Sequence, residues 1–333
     1  MASFSFSIEK EKENKKEQKQ YVVMITGGSG LVGTALQEVI KTEAQSNEKW
    51  VFLSSRDGDL RKAEDTQKIF QKYQPTHVIH LAAFVGGLFH NMSSPVEFWR
   101  YNMAMNENIF WQCKENNVVK LISCLSTCVF PDKTNYPIDE TMIHNGPPHS
   151  SNEAYAYAKR MIDVQNRIYA SQYGCKFTSV IPSNIYGPGD NYNLRDSHVI
   201  PGLIHKFYLA KAEGKDMVVM GTGTPLRQFI YSMDLAKLFI WALRNYNSSE
   251  PIILSVDESA EVTIRDVVQM ISDAIDFKGS IIFDVSKADG QFKKTASNAK
   301  LKRLYPEFQF TPIKDGITAS VKWFVDNYTV ARK

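Results

Sequence analysis

Cysteine is scarce in the sequence, and the few cysteines follow no metal-binding or disulfide pattern. Only 4 of the 333 residues are cysteines, namely Cys113, Cys124, Cys128 and Cys175. None of them forms a C-x-x-C pair and no two histidines stand at zinc spacing, so we expect no metal. A disulfide framework is typical of short secreted chains and is not expected in an intracellular chain of this length.

Long apolar runs and a dominant charge of one sign are also missing. No apolar stretch approaches the roughly 20 residues of a membrane-spanning helix, and the first residues lack the apolar segment of a signal peptide. The net charge is only +3, and the lysines are scattered apart from the run KEKENKKEQK at residues 10–19. We expect a cytoplasmic protein that binds neither membrane nor nucleic acid, with a disordered tail at residues 1–20.

Apolar segments of strand length alternate with longer helical segments in the first half of the chain. Strands are predicted at residues 21–26, 50–55, 77–83, 118–125 and 176–182, and helices at about 30–42, 95–116 and 151–173. This alternation predicts an α/β fold with a Rossmann-type, doubly wound parallel sheet.

The alternation becomes less regular after residue 184. The sequence predicts a turn-rich loop at 184–193, short strands at 217–221, strands and then a helix within 227–243, and helices at 261–275 and about 317–328. We expect these segments to form a smaller C-terminal α/β cap that binds substrate.

A glycine-rich turn, TGGSGLVG, follows the first predicted strand and opens the first predicted helix. Glycine at 27, 30 and 33 lets the backbone turn tightly and approach a pyrophosphate, which the free N–H groups of a helix N-terminus stabilise. The alternative is an ordinary turn, but this placement favours a dinucleotide site. The predicted cofactor-binding residues here are Gly27, Gly30, Leu31, Val32 and Gly33.

The second predicted strand ends in SSRDGDL, without the acidic residue that an NAD site shows. Ser55 leaves room, and Arg56 offers a planar cation for a 2′-phosphate, so the sequence favours NADP(H). Asp57 could instead pair with Arg56, or Arg56 could be a solvated charge. Asp59 and Leu60 are placed to hold the adenine edge and face. The predicted NADP-binding domain covers residues 21–184 with parts of 225–260, and the substrate-binding domain covers about 185–224 and 261–333.

The stretch SNEAYAYAKR holds two tyrosines ahead of one lysine. In a helix Tyr155 and Lys159 share a face, whereas Tyr157 is turned roughly 200° away from Lys159. With Ser126 in the segment CLSTC after the fourth strand, this pattern resembles the extended short-chain dehydrogenase/reductase family. The resemblance implies that Tyr155 donates a proton, that Lys159 lowers the pKa of Tyr155, and that Ser126 holds the substrate carbonyl.

A longer series of motifs resembles the GDP-L-fucose synthase family over residues 21–330. The motifs are GGSGLVG, HLAAFVGGLFHN, LSTCVFPD, NEAYAYAKRM, IPSNIYGPGDN, SHVIPGLIHK, GTGTPLRQFIY and DGQFKKTASN. Members of that family are 3,5-epimerase-4-reductases that act on GDP-4-keto-6-deoxy-D-mannose with NADPH. The resemblance implies that Cys128 and His198 are the base and acid of the epimerisations.

The same resemblance implies further contacts. Besides those given above, the implied cofactor-binding residues are Ala82, Ala83, Lys159, Pro182, Ser183, Asn184, Ile185 and His198. The implied substrate-binding residues are Asn184, Lys206, Arg227 and Asp289.

Two questions stay open at this stage. The helices at 95–116 and 151–173 carry large apolar residues such as Phe98, Trp99, Ile109, Phe110 and Trp111. They predict a homodimer, because the family pairs these helices between subunits; the alternative is that these residues face the sheet. The function has two alternatives, which are another nucleotide-sugar epimerase or reductase and a non-catalytic NADP-binding regulatory protein.

Overall fold

A computed structural model describes residues 20–287, 289 and 292–333 of the chain. The predicted N-terminal tail lies outside these residues, apart from Gln20. Within the described part, no helix is long and apolar enough to cross a membrane.

Strands and helices alternate along the described chain. The strands are β1 (Tyr21–Thr26), β2 (Glu48–Phe52), β3 (His77–His80), β4 (Lys120–Cys124), β5 (Phe177–Pro182), β6 (Asn184–Tyr186), β7 (Met217–Met220), β8 (Leu226–Arg227), β9 (Phe229–Tyr231), β10 (Ile252–Leu254), β11 (Val262–Thr263) and β12 (Ile281–Asp284). The helices are α1 (Leu31–Glu43), α2 (Ala63–Tyr73), α3 (Leu88–Ser93), α4 (Pro95–Glu115), α5 (Glu153–Tyr173), α6 (Val199–Glu213), α7 (Ser232–Asn245), α8 (Ile264–Ile275), α9 (Ala299–Leu304) and α10 (Ile313–Asp326).

The central sheet has the strand order β10-β5-β4-β3-β1-β2, and every neighbouring pair is parallel. Successive strand residues point to opposite faces. Val23 and Ile25 therefore pack in one core cluster with α1 and α7, whereas Met24 packs in the other with α2, α4 and α5. The predicted doubly wound α/β fold is confirmed.

A third core cluster forms the smaller cap. It joins α6, α8 and α10 to β7 through residues such as Ile204, Val268, Phe324 and Val219. Its small sheets pair β12 with β7 and β11 with β8.

Several predicted boundaries were wrong. The second strand ends at Phe52 rather than at residue 55, because the Asp57 carboxylate accepts a hydrogen bond from the Ser54 amide at 2.8 Å and turns the chain. The predicted loop at 184–193 begins with β6, which pairs with β9. The last helix covers residues 313–326 rather than 317–328, beginning directly after Pro312.

A buried lysine fixes the start of β4 against a helix end. Lys120 is 4% exposed, and its ammonium donates to the carbonyl oxygens of Ala242 at 2.7 Å and Leu243 at 2.9 Å. These carbonyls belong to the last turn of α7, where a helix leaves acceptors unpaired and favours a cation. Burial lowers the pKa of Lys120 to about 8, and the nearby Lys176 adds to the shift.

The lowered pKa of Lys120 predicts a pH-dependent stability. An unfolded lysine titrates near about 10.4, so between the folded and unfolded values the unfolded chain binds a proton that the folded chain does not. Stability must therefore rise with pH across this window. Against Lys120→Met, the wild-type free energy of unfolding should gain about 1–3 kcal/mol from pH 8 to pH 10.5 in urea titrations. Parallel curves for the two proteins would contradict this account.

Candidate active site

The carboxyl ends of β1 and β3 form the point at which the sheet reverses its winding, since β2 lies beside β1 on one side and β4 beside β3 on the other. Ligands of open α/β sheets bind at such a point. The glycine turn follows β1, and Gly27 has a φ of +69°, which favours glycine. A Cβ at Gly27 would lie 2.8 Å from the Ala82 nitrogen, and one at Gly33 would lie 2.5 Å from the Gly27 oxygen. Only glycine at these two positions lets the turn pack against the segment after β3 and close on the start of α1.

A cavity of about 470 Å³ opens beside this turn, a size typical of small-molecule sites. The predicted cofactor residues that line it are Gly27, Ser55, Asp59, Leu60, Ala82 and Ala83. The predicted residues at the start of α1 (Gly30, Leu31, Val32 and Gly33) are not in its lining, and neither is Arg56, which lies in the exposed turn after β2. Arg61, Tyr101 and Met105 also line the cavity, and the sequence reasoning missed all three.

The charges after β2 answer the question of whether Asp57 pairs with Arg56. Asp57 accepts hydrogen bonds from Ser54 and, at 2.9 Å, from the Tyr73 hydroxyl. The Ser54 amide is the main cause of the lowered pKa of Asp57. Arg56 is exposed and makes no ion pair within the described part of the chain.

Arg61, in contrast, is already neutralised. Its guanidinium binds both carboxylate oxygens of Asp59, at 2.8 Å for the Nε–Oδ1 and Nη2–Oδ2 contacts. These hydrogen bonds lower the pKa of Asp59 to about 2. The Arg61 side chain also lies over the Tyr101 ring, 4.6 Å from its centroid. Of the two arginines, Arg56 is the one free to bind a phosphate.

Four of the five catalytic residues predicted from the sequence, all except His198, meet where β4 and α5 approach each other. Ser126 follows β4, and its Oγ accepts a 3.4 Å hydrogen bond from the Cys128 amide in a single turn of 3₁₀ helix. Lys159 is 2% exposed and donates to the Cys124 carbonyl at 2.9 Å. Its ammonium lies 5.9 Å from the centroid of the Tyr155 ring, as expected for residues one helical turn apart.

The expected lowering of the Tyr155 pKa by Lys159 is not found. Burial raises the pKa of Tyr155 well above its usual range, and interactions with Cys128 and Cys124 raise it further. Burial also lowers the pKa of Lys159. Desolvation outweighs the attraction between the two groups, so Tyr155 is a protonated phenol at neutral pH.

Cys128 shows the same conflict between burial and charge. Burial raises the pKa of Cys128, whereas Lys294, a hydrogen bond from Ser126 and Lys159 each lower it. Lys294 lies within the motif DGQFKKTASN, but no local pattern distinguishes it from the neighbouring Lys293.

Tyr157 does not join this group. The Arg160 guanidinium lies 5.1 Å from the centroid of the Tyr157 ring, on another side of α5 from Tyr155 and Lys159. The helical spacing of the sequence predicted this separation.

His198 lies apart from Ser126, Cys128, Tyr155 and Lys159, on the segment before α6. It is exposed and directly precedes α6. The buried carboxylate of Asp190, which is 4% exposed, interacts with His198 and Arg332. The preceding segment reaches the loop after β3, since a Cβ at Gly87 would lie 3.5 Å from the Asp196 Cα.

The predicted substrate residues occupy the cap and the sheet edge. Arg227 is half-buried, and its Nη1 donates to the Leu226 carbonyl at 2.7 Å. Burial lowers the pKa of Arg227 against the opposing effect of Glu261, and Arg227 in turn lowers the pKa of Lys294. Lys206 is half-buried in α6 and has no hydrogen bond within the described residues.

Of the remaining predicted residues, Asp289 and Asn184 have hydrogen-bond partners among the described residues, whereas the Ser183 hydroxyl has none. Asp289 accepts from the Thr222 amide at 2.9 Å and its hydroxyl at 2.6 Å. Asn184 is exposed, and its Nδ2 donates to the Gln228 carbonyl at 2.9 Å. Ser183 is 5% exposed and its hydroxyl has no partner. Pro182 ends β5, and Ile185 lies in β6.

Comparisons with known proteins place this site among nucleotide-sugar enzymes. Residues 23–256 match the NAD dependent epimerase/dehydratase family. The chain is 63% identical over 311 residues to the GDP-L-fucose synthase of Dictyostelium discoideum, covering 93% of this chain and 97% of that protein. It is 55% identical over 318 residues to the probable GDP-L-fucose synthase of Drosophila melanogaster, covering 93% and 99%.

A solved structure agrees with these relatives. The crystal structure of a GDP-L-fucose synthetase from Naegleria fowleri bound to NADP superposes with a TM-score of 0.91 at 55% identity, covering 95% of this chain and 96% of that one. The chain therefore belongs to the NAD dependent epimerase/dehydratase family and, within it, to the GDP-L-fucose synthases.

Proposed function

We propose that this protein converts GDP-4-keto-6-deoxy-D-mannose to GDP-L-fucose with NADPH, by epimerisation at C3 and C5 followed by reduction at C4. The observation that carries the proposal is the meeting of Ser126, Tyr155 and Lys159 with Cys128 at the end of β4. A plain reductase needs the first three residues but has no use for a thiol beside them. The GDP-L-fucose synthase relatives support the same reaction.

The cofactor is NADP(H), and the residues present fit it. The glycine turn leaves no room for a Cβ at Gly27 or Gly33, and the adjoining cavity has the size of a nucleoside site. Arg56 would hold the 2′-phosphate, and Asp59 and Leu60 would lie against the adenine. When bound, NADPH supplies the hydride. We propose that residues 21–184, with parts of 225–260, hold it.

Cys128 and His198 would perform the epimerisations. The C4 ketone makes the protons on C3 and C5 acidic. A thiolate at Cys128 removes one of these protons, and the electrons move into an enolate whose oxygen is at C4. His198, which directly precedes α6, returns a proton to the same carbon from the opposite face of the sugar ring. Because burial raises the pKa of Cys128, this step should become faster as pH rises through neutrality.

Tyr155 would complete the reduction. As a hydride reaches C4, the C4 oxygen gains negative charge and takes the Tyr155 hydroxyl proton. The raised pKa of Tyr155 keeps that proton in place until it is needed. Ser126 donates a hydrogen bond to the same oxygen and fixes the carbonyl. The Lys159 ammonium stabilises the tyrosinate that forms.

Cationic side chains would hold the GDP portion. Arg227 lies close enough to Lys294 to lower the pKa of Lys294, and the Lys206 ammonium has no hydrogen bond or ion pair among the described residues. An arginine suits a diphosphate because its guanidinium binds two oxygens at once. Asn184 and Asp289 would contact the sugar nucleotide from the sheet edge and the cap. We propose that about 185–224 and 261–333 form this substrate-binding part.

The direct test is incubation with GDP-4-keto-6-deoxy-D-mannose and NADPH. Absorbance of NADPH should fall, and the isolated product should have the stereochemistry of GDP-L-fucose at C3, C4 and C5. A product reduced at C4 without inversion at C3 and C5 would favour a plain 4-reductase. Binding of NADPH without turnover would favour the regulatory protein.

We further propose a cytoplasmic homodimer. Four free cysteines suit a reducing compartment. Trp111, Ile168 and Tyr173 of α4 and α5 are 43%, 53% and 45% exposed and surround a surface cleft of about 220 Å³. In contrast, Phe98, Ile109 and Phe110 of α4 are fully buried within the subunit. Only part of the apolar side chains of α4 and α5 is therefore available to a second copy. Pairing α4 and α5 with a second copy would form a four-helix bundle.

The dimer proposal predicts the effect of a charge in this cleft. Wild type at micromolar concentration should scatter light as twice 37.9 kDa. Ile168→Glu should shift it towards the monomer mass, because a carboxylate would be buried at the interface. Val330→Glu, at another exposed apolar residue, is the matched control. A monomeric wild type would reject the dimer.

The two tyrosines of α5 predict a second contrast. Tyr155→Phe should lower the rate of NADPH oxidation by about 10²–10⁴-fold because the proton donor is lost. Tyr157→Phe should have little effect, since its ring packs against Arg160. NADPH binding, measured by fluorescence, should be unchanged in both. Equal losses of activity in the two variants would contradict the assignment.

The two arginines after β2 predict a third contrast. Arg56→Ala should raise KM for NADPH far more than KM for NADH, because only NADPH has the 2′-phosphate. Arg61→Ala should change both KM values similarly, because the Arg61 charge is already paired with Asp59. A similar effect of Arg56→Ala on both cofactors would mean that Arg56 does not touch the phosphate.

A further inference from the structure

Two neighbouring cations of α5 hold opposite ends of one short segment. Lys159 donates to the carbonyl oxygen of Cys124 at 2.9 Å. Arg160 donates twice to the carbonyl oxygen of Val129, from Nε at 2.9 Å and from Nη2 at 2.6 Å. The backbone between these two anchors carries both Ser126 and Cys128.

Arg160 uses its remaining donor capacity in the same way. Its Nη1 donates to the Gly146 carbonyl at 2.9 Å, and its guanidinium lies over the Tyr157 ring. The side chain is 4% exposed. Among the described residues it forms no ion pair with a carboxylate, so its hydrogen bonds go to backbone oxygens alone.

This arrangement is unfavourable as a purely stabilising device. Burying a cation without an anion has a large desolvation cost, and an apolar side chain of similar volume would fill the space without it. The guanidinium differs from such a side chain in its rigid fork of donors, which sets direction as well as distance. What the fork fixes here is the position of Val129, the residue directly after Cys128.

We propose that Arg160 is a positioning residue for Cys128, holding the end of the Ser126–Val129 turn on α5 so that the thiol stays at a set distance from Tyr155. This inference rests on the proposed function, because it assigns the thiol a part in epimerisation. Ser126 lies nearer the other anchor, Lys159. Loss of Arg160 should therefore impair the step that uses Cys128 more than the step that uses Ser126 and Tyr155.

The charged groups around the Cys128 thiol are consistent with a positioning role for Arg160. Cys128 interacts with Arg160, Lys159, Lys294 and Tyr155. Of these, the cations Lys294 and Lys159 lower the pKa of Cys128 against the burial that raises it. Moving the turn would change the distance from the thiol to each of these groups.

The test compares Arg160→Met with Arg167→Met, a change two turns further along α5 at a side chain that is 55% exposed and pairs with Asp163. The first measurement is amide hydrogen exchange of residues 126–130. The second is deuterium uptake at C3 and C5 of the keto sugar without NADPH. The third is NADPH oxidation with keto sugar that wild-type enzyme has already epimerised and from which that enzyme has been removed. Arg160→Lys keeps the positive charge but lacks the planar set of N–H donors of the guanidinium. It replaces Arg160→Met in the test if the methionine variant folds poorly.

In Arg160→Met, local amide exchange should accelerate and deuterium uptake should fall about 10- to 100-fold, because small misplacements are costly in catalysis. NADPH oxidation should fall much less. Arg160→Lys should lie between wild type and Arg160→Met, and Arg167→Met should behave as wild type. Unchanged local amide exchange, or equal losses in both steps, would overturn the proposal. If wild type takes up no deuterium, the proposed function fails, whereas the amide exchange still reports whether Arg160 holds the turn.

Discussion

The hydrogen bond from the Lys159 ammonium to the Cys124 carbonyl joins the two elements on which the chemistry depends. It ties α5, which carries Tyr155, to the end of β4, which leads into Ser126 and Cys128. The sheet order then brings this junction to the same edge as the glycine turn after β1, because all the strands are parallel and their carboxyl ends lie together. A shift of α5 along the sheet would separate Tyr155, the proposed proton donor, from Ser126 and from the proposed cofactor site.

Burial sets the protonation states in this junction. Cys128 and Lys159 are 7% and 2% exposed and Tyr155 is half-buried. Desolvation is the largest cause of the pKa shift of all three groups. Each group is driven towards its neutral form. This suits a tyrosine that must keep its proton until hydride arrives. Burial disfavours the loss of a proton from the Cys128 thiol, which the proposed epimerisation requires. The cations around Cys128 and their positions are therefore needed for its role as a base.

The sequence predicted the parts of the site that follow from local pattern. The spacing of Tyr155 and Lys159 is a property of one helix, and the glycine turn is a property of one strand-to-helix connection. The sequence could not show that Arg61 lies over Tyr101, because that contact joins the loop after β2 to α4 through tertiary packing. The wrong direction for the Tyr155 pKa has a similar origin: the sequence reveals the lysine but not the depth of burial. The helix α2 was missed although its buried residues Thr66, Ile69 and Phe70 have helical spacing, because most of its other residues are polar.

The central claim, that Cys128 is the base of a step separate from reduction, is tested most directly by proton exchange without NADPH. In D₂O, wild type should place deuterium on C3 and C5 of GDP-4-keto-6-deoxy-D-mannose, faster as pH rises because more of the thiol is ionised. Cys128→Ala should slow this exchange by about 10²–10⁴-fold, while it still binds NADPH and retains Tyr155 and Lys159 for reduction. Exchange at the wild-type rate in Cys128→Ala, at both carbons, would contradict the account and assign the base to another residue.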